Sequence, residues 1–432
     1  MGKKLKNKKY AEKILYFSKE LNRIQQPIRL LDAIKWNDGL YVRFKKSQFK
    51  EFPILGPDYY TQSNFLGFDP LRKREELSFL RDKIKLNLGP QDAVGKLLRN
   101  HCKQYDQVIH LLMARGTKHF YQFSKKLFGS SMDDFDDGHR KVIDLGILLD
   151  SIGEIDTQKI ENLTHEKNLS SDVVVKELQK RSQKYFKHNK VCVKLEDNIV
   201  SDAAAGATTI KIKNKIKFNE RDINLLEVHE GWVHVGTSLN GSAQRYAKWL
   251  FKGPPGTTMT QEGLAVFMEV LTFNSSPHRI QKINNRILAC HLAETGAGVI
   301  ELFEFFRSRG CEDYEAYLNT QRVFRGTSGE GGGAFTKDIV YCRGYISIYN
   351  YLRTAVRMGQ THLIPFIFSG KLNLRDIPLI YQLYDDGIIN LPRYLPPQFK
   401  DLKGLLALLS FSNFLNLVDI SKSSKRIQFQ VK

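Results

Sequence analysis

The residues best suited to chemistry in this sequence are His229, Glu230 and His234, within the run His-Glu-Gly-Trp-Val-His. Imidazole nitrogens are common zinc ligands, and an adjacent carboxylate can accept a proton from a water molecule that the metal activates. The grouping therefore predicts a hydrolytic zinc site, with His229 and His234 as ligands and Glu230 as catalytic base.

The spacing of the two histidines is unusual. They lie five positions apart, whereas the common zinc peptidase motif places its histidines four apart. On an ideal α-helix five residues turn the side chain by about 140°, so the two rings would diverge. They converge only if the helix widens to π geometry or unwinds after Gly231. We therefore predict local π geometry or an early helix end over residues 230–236.

A catalytic site with two histidine ligands needs a third protein ligand and an open position for water. Glu262 is the first choice, because Gly263 and Ala265 beside it would let its helix approach the histidine helix closely. Glu269 lies seven residues later, near the same helix face. It remains either the alternative ligand or an acceptor that orients a histidine.

The elements that position these residues follow from periodicity and capping. Asn219 is a predicted N-cap of the histidine helix, and a second helix, carrying Glu262, is predicted to begin at Thr258 or Thr260. Alternating apolar residues over 191–195 and 210–213 predict a small sheet, whereas the pattern before residue 190 is mostly helical. We expect a predominantly helical α+β fold: a zincin-like catalytic core with a small β-sheet and an active-site helix, plus an N-terminal helical region.

The length of 432 residues predicts one large catalytic domain with a helical extension. The expected organisation is a basic N-terminal extension over 1–85, a helical region packed on the core over 86–190, the zinc peptidase core over 191–400, and a C-terminal helix with a basic tail over 401–432. The five cysteines are widely spaced and form no CxxC pair, which indicates reduced thiols.

The formal net charge is +20, and basic residues crowd the runs Lys3–Lys9 and Lys422–Lys432. Such a field attracts polyanions without specifying one. No stretch approaches the roughly 20 apolar residues that span a bilayer. The most apolar stretch, Leu402–Leu417, is predicted to form a buried helix. No signal-peptide core follows the basic start, so a cytoplasmic location is expected.

The run His229-Glu230-x-x-x-His234 followed by Gln261-Glu262-Gly263-Leu264-Ala265 resembles the QEGLA-motif family of bacterial proteins (flavohemoglobin expression-modulating QEGLA motif proteins). That family is similar to the microtubule-associated tyrosine carboxypeptidases, which remove the C-terminal tyrosine of α-tubulin. The resemblance extends from about residue 85 to about residue 400 and includes the runs 113–117, 322–326 and 335–341. It implies one Zn²⁺ per chain, held by His229, His234 and Glu262, with Glu230 as the base.

A carboxypeptidase must bind the free carboxylate of its substrate, and arginine suits this task because it can donate two parallel hydrogen bonds. At least one of Arg322, Arg325 and Lys337 is therefore expected to face the zinc. The predicted substrate-binding residues are Arg322, Arg325, Lys337 and Arg343.

Two further features concern the substrate. Tyr341 is predicted to donate to the oxyanion that develops during hydrolysis. An edge strand predicted around Thr208–Lys213 would align an extended peptide by strand addition. The expected function is zinc-dependent removal of a C-terminal residue from a peptide or protein tail, and an acidic tail would suit the charge.

The alternative is a catalytically inactive protein that binds a polyanion or nucleic acid through its basic surface. We do not favour nucleic acid as the partner, because the sequence contains no helix-turn-helix, zinc-finger or RNA-binding aromatic signature.

Overall fold

The computed structural model describes residues 3–63, 66–135, 138–153, 167–187, 189–197 and 199–417. Most of these residues are helical, and two small sheets complete the fold, which confirms the predicted helical α+β class. The α-helices are α1 (Lys8–Gln25), α2 (Asp38–Lys46), α3 (Pro57–Ser63), α4 (Pro70–Leu88), α5 (Ala93–Met113), α6 (His119–Phe128), α7 (Val142–Gly153), α8 (Ser171–Tyr185), α9 (Glu220–Leu226), α10 (Gly236–Ser242), α11 (Thr258–Leu271), α12 (Pro277–Glu294), α13 (Val299–Ser308), α14 (Asp313–Phe324), α15 (Val340–Arg357), α16 (Ile377–Asp385), α17 (Pro397–Lys400) and α18 (Lys403–Leu415).

A π-helix, Glu227–Val235, joins α9 to α10 and makes one continuous helical run. Asn219 caps this run as predicted: its side chain accepts from the Asp222 backbone N–H, and the Asp222 carboxylate accepts from the Asn219 N–H. Two backbone N–H groups at the start of the helix, which would otherwise lack an acceptor, are paired in this way. Short 3₁₀ segments occupy Asp32–Ile34, Lys248–Phe251, Pro255–Thr257, Thr336–Ile339, Thr361–Phe368 and Leu374–Asp376.

The strands are β1 (Leu169–Ser170), β2 (Cys192–Glu196), β3 (Ala203–Ala205), β4 (Thr209–Lys213) and β5 (Lys217–Phe218). Strands β2 and β4 confirm the alternation seen in the sequence. The larger sheet has the order β2-β4-β3, with β4 parallel to β2 and antiparallel to β3. The predicted edge strand at Thr208–Lys213 is therefore wrong, because β4 is paired on both sides and β3 forms an edge instead.

Two hydrophobic clusters hold the chain together. The larger one runs from Ala11 in α1 to Leu409 in α18, so the helices at both ends share one core with the helices between them. The smaller cluster packs the larger sheet against α8 and the histidine run through residues such as Ile210, Phe186 and Val235. The sheet thus lies directly on the helical segment that carries the histidines.

Helix α11 lies at the centre of the larger cluster. It buries Leu264, Ala265 and Met268, because the π-helix packs against one side of it and α15 against another. Gly263 and Gly344 of α15 meet so closely that a Cβ built on Gly263 would lie 2.1 Å from the Gly344 carbonyl carbon. Gly263 therefore lets α11 approach α15 closely, and α11 also packs against the π-helix that carries the histidines, as the sequence suggested.

The last helix of the described chain is less buried than the sequence predicted. Helix α18 buries Leu405 and Leu409, but Phe411 is 73% and Phe414 is 67% exposed, so the prediction of a buried helix holds for one face only. At the other end, Lys3 and Lys6 pair with Asp385 and Asp386. The basic run Lys422–Lys432 lies outside the described residues.

Among the residues that are described, none of the helices combines the length and apolar character needed to cross a membrane.

Candidate functional site

The π-helix brings the two histidines together. Its backbone has hydrogen bonds five residues apart, as between the Gly236 N–H and the Gly231 carbonyl. A π-helix has more residues per turn than an α-helix, so side chains five positions apart point in similar directions. The ring centroids of His229 and His234 accordingly lie 4.9 Å apart. The distortion predicted from the spacing is confirmed.

Glu262 completes a group of three potential ligands. Its Oε2 lies 3.7 Å from Nε2 of His229 and 3.5 Å from Nε2 of His234. One ligand atom from each residue falls within 4.8 Å of the others. Ligands about 2.1 Å from a tetrahedral zinc ion are about 3.4 Å apart, so the two Glu262 distances are close to the spacing of a zinc site, and the donors are of the types that zinc accepts.

Glu269 lies on the other side of His229. Its Oε1 is 2.6 Å from Nδ1 of His229, and it also accepts two hydrogen bonds from Arg279, at 2.9 and 3.0 Å. Because a carboxylate can only accept, Nδ1 carries the proton and Nε2 points toward Glu262 and His234. The geometry thus separates the two glutamates: Glu262 faces the ligand group, whereas Glu269 holds a histidine from behind.

Burial and charge act in opposition on this cluster. Burial lowers the pKa of His229, but hydrogen bonds to Glu262 and Glu269 outweigh it and raise that pKa to about 10. Burial raises the pKa of Glu262, yet Lys337 and the two histidines hold it well below its ordinary value. A partly buried carboxylate that stays ionised beside histidines can accept a cation.

Glu230 is buried next to the cluster and has spare hydrogen-bonding capacity. Its Oε1 lies 3.9 Å from Nε2 of His229. Its Oε2 is buried and has no hydrogen-bond partner among the residues that the structure describes. Unpaired buried carboxylate oxygens are costly, which is typical of a group that meets a ligand or substrate.

These residues form the floor of a cleft of about 1420 Å³. The lining includes β3, the start of α11, α12, α14 and the lysine that follows Gly370. Fourteen lysines and arginines line the cleft against six aspartates and glutamates, so its field is strongly positive.

Three of the four predicted substrate-binding cations reach this cleft, but two of these three are already paired. Arg322 makes two hydrogen bonds with Asp338, at 2.6 and 3.0 Å. Lys337 lies 2.9 Å from Oε1 of Glu262. Arg343 is not brought to the cleft and instead contacts Asp133 at 2.8 Å, so its predicted place at the site is wrong.

Arg325 is the least satisfied of the predicted cations. It is buried, it stacks on the ring of Phe335, and its Nε has no hydrogen-bond partner within the described part of the chain. Burial, followed by the charge of Arg322, lowers the pKa of Arg325 to about 10. An anion that entered beside it would relieve both effects.

The sequence interpretation missed Arg286, whose Nε likewise has no hydrogen-bond partner among the described residues. Its guanidinium lies 4.9 Å from the ring centroid of Tyr341, which also lines the cleft. Arg286 lies seven residues after Arg279 on α12, so helical periodicity could have placed both on one face. Lys371, also missed, follows a 3₁₀ segment, where no periodic pattern marks it.

The fold and the site together define a mainly helical α+β protein with a His-His-Glu cluster in a basic cleft, in which His229 is buried and the other two residues are partly buried. The chain belongs to the microtubule-associated tyrosine carboxypeptidase family, because the family model with that description matches residues 42–417. The similarity inferred from the motifs is thereby confirmed, and it reaches beyond residues 85–400 at both ends. The family supports a carboxypeptidase, a hydrolase of peptide ends. No curated protein matches the chain.

Proposed function

We propose that this protein is a zinc-dependent carboxypeptidase that removes a C-terminal residue from a peptide or protein tail. The observation that carries the proposal is the convergence of His229, His234 and Glu262 beside Glu230, whose Oε2 has no hydrogen-bond partner among the described residues. Family membership supports the type of bond that is cleaved.

The residues that would hold zinc are His229, His234 and Glu262. When bound, zinc would supply a nucleophilic water at neutral pH and polarise the carbonyl group of the scissile bond. The larger sheet packs on the π-helix that carries both histidines, an arrangement that supports a zincin-like core.

Glu230 acts as the general base. Its Oε2 is free to take a proton from the attacking water, and it can return that proton to the leaving amine. Glu269 and Arg279 fix the ring of His229 and keep Nε2 directed at the cleft. Tyr341, which lines the same cleft, donates to the carbonyl oxygen as negative charge develops there.

Arg325 and Arg286 receive the terminal carboxylate. Both are buried at the cleft, and in both the Nε has no hydrogen-bond partner among the described residues, although Nε of Arg286 also lies 3.9 Å from Oδ2 of Asp338. Arg322 has a structural role instead, because Asp338 already satisfies two of its donors. A carboxylate bound between Arg325 and Arg286 would make charge-assisted bonds in a site shielded from water.

The substrate tail is acidic and binds in an extended form. The excess of lysine and arginine along the cleft favours glutamate- or aspartate-rich segments. Among the described strands, β3 pairs only with β4, and it lines the cleft, so it replaces β4 as the strand that pairs with the peptide backbone.

Metal analysis combined with peptide digestion tests this function. Purified protein is analysed for zinc and then incubated with acidic peptides that differ in the terminal residue, tyrosine included, with amidated peptides as controls. We expect one zinc per chain and loss of one residue from free C-termini only, abolished by a chelator and restored by zinc. Absence of zinc binding, or equal cleavage of amidated peptides, would contradict the proposal.

A further inference from the structure

Lys371 is a partly buried lysine at the wall of the cleft, beside the histidine helix. Its Nζ donates to the backbone carbonyl of His234 at 2.9 Å, to Oγ1 of Thr237 at 3.0 Å and to Oε1 of Gln261 at 2.8 Å. The backbone N–H of Lys371 donates to the Leu250 carbonyl at 2.7 Å. All three protons of the ammonium group therefore have an acceptor, although none of these acceptors is a carboxylate.

The three acceptors connect two elements that carry predicted ligands. His234 supplies one ligand and its own carbonyl binds Lys371, while Gln261 directly precedes Glu262 on α11. Thr237 closes the link, because its hydroxyl also lies 2.8 Å from Oε1 of Gln261. Short hydrogen bonds, in addition to packing, therefore connect the segment that carries His234 to the helix that carries Glu262.

The position of the contact on the π-helix matters. Backbone bonding changes near residue 236 from five-residue to four-residue steps, and carbonyl groups at such a junction need donors from elsewhere. The His234 carbonyl accepts from Ser238 at 2.8 Å, from Lys371 at 2.9 Å and, at the longer distance of 3.3 Å, from Thr237. The Lys371 amine therefore supplies one of the donors that this junction needs.

We propose that Lys371 is a positioning residue for the metal centre: it ties the His234 end of the π-helix to Gln261 and so sets the geometry of His234 and Glu262. This inference rests on the proposed zinc site. It also gives the glutamine of the Gln-Glu-Gly-Leu-Ala run a role, as the acceptor that carries the constraint to α11.

The test compares Lys371→Met with wild type in the metal-free protein. Zinc affinity is measured by competition with a chelator, Co²⁺ absorption reports the coordination geometry, and thermal unfolding reports stability. We expect zinc to bind about 10- to 100-fold more weakly to Lys371→Met, with an altered Co²⁺ spectrum. The matched control is Lys248→Met, which removes a lysine bond to the Ser242 carbonyl of the same helical run, away from the cleft. Its zinc affinity and spectrum should equal those of wild type.

The outcomes separate this inference from the proposed function. If wild type binds no zinc, the proposed function fails. If wild type binds zinc, and Lys371→Met loses only thermal stability while keeping affinity and spectrum, the positioning role alone fails. Should Lys371→Met not fold, Gln261→Met decides the question with the same readouts, because it removes the acceptor from the other end of the link.

Discussion

Oε1 of Glu269 lies 2.6 Å from Nδ1 of His229, and the same carboxylate is paired with Arg279. This contact holds a proton on Nδ1 of His229 and turns its Nε2 toward Glu262. One glutamate therefore supports the histidine while the other faces the ligand position. Glu262 and Glu269 lie seven residues apart on α11, yet they face opposite sides of the His229 ring.

Replacing Glu269 with glutamine tests this division of roles. The Glu269→Gln variant would keep the shape but lose the charge that holds His229 and balances Arg279. We expect zinc affinity to fall about 10- to 100-fold, measured by chelator competition. Glu294→Gln is the control, because Glu294 is a hydrogen-bonded carboxylate at the end of α12 that contacts Tyr121 and Ser131 outside the cleft. Unchanged zinc affinity in folded Glu269→Gln would rule out the supporting role.

Arg325 is expected to determine recognition of the free C-terminus. The Arg325→Met variant would lose charge-assisted bonds worth about 1.5–3 kcal/mol, equivalent to about a 10- to 150-fold loss in kcat/KM. The loss should appear for peptides with a free carboxylate. If kcat/KM for free peptides were unchanged in this variant, the carboxylate would bind elsewhere.

The Arg322–Asp338 pair predicts a dependence of stability on pH. Burial raises the pKa of Asp338, but Arg322 and Arg286 outweigh this effect and hold the pKa well below its ordinary value of 3.8. The stabilisation is therefore fully present above about pH 3.8 and is lost as the pH falls toward the folded-state pKa. Denaturant unfolding should show Asp338→Asn to be about 3–5 kcal/mol less stable than wild type at pH 7. That gap should narrow below about pH 3.8, and a gap independent of pH would contradict the assignment.

The contact between Gly263 and Gly344 sets how deeply α11 packs. A Cβ on Gly344 would lie 2.3 Å from the Met259 carbonyl oxygen and 2.8 Å from Cα of Gly263. The Gly344→Ala variant should therefore lose about 1–3 kcal/mol of stability, and its zinc affinity should fall as Glu262 shifts. Gly404→Ala, where the new Cβ meets nothing within 4 Å, serves as the control and should not destabilise. Equal stability of both variants would show that the close approach does not matter.

The local elements of the site could be predicted from the sequence because each has a local cause. The Asn219 cap, the alternation in β2 and β4 and the five-residue histidine spacing each act within a few residues. The π-helix followed from that spacing together with the requirement that two rings reach one ion. In the structure the two rings lie close together, with centroids 4.9 Å apart.

Tertiary partners could not be predicted, because they depend on which elements meet. The sequence shows four basic residues near Tyr341, but only the fold pairs Arg322 with Asp338 and carries Arg343 away to Asp133. Strand β4 is central because it pairs with both β2 and β3. The alternation of apolar residues within a strand does not reveal which strands pair with it. Lys371 was missed because it lies in a connection without periodicity.

The most direct test of the central claim is the activity of Glu230→Gln, measured beside wild type with zinc content determined on the same samples. Glu230 is proposed as the base and not as a ligand. The variant should therefore retain one zinc per chain while release of the C-terminal residue falls at least about 100-fold. Full peptidase activity in zinc-loaded Glu230→Gln would contradict the account.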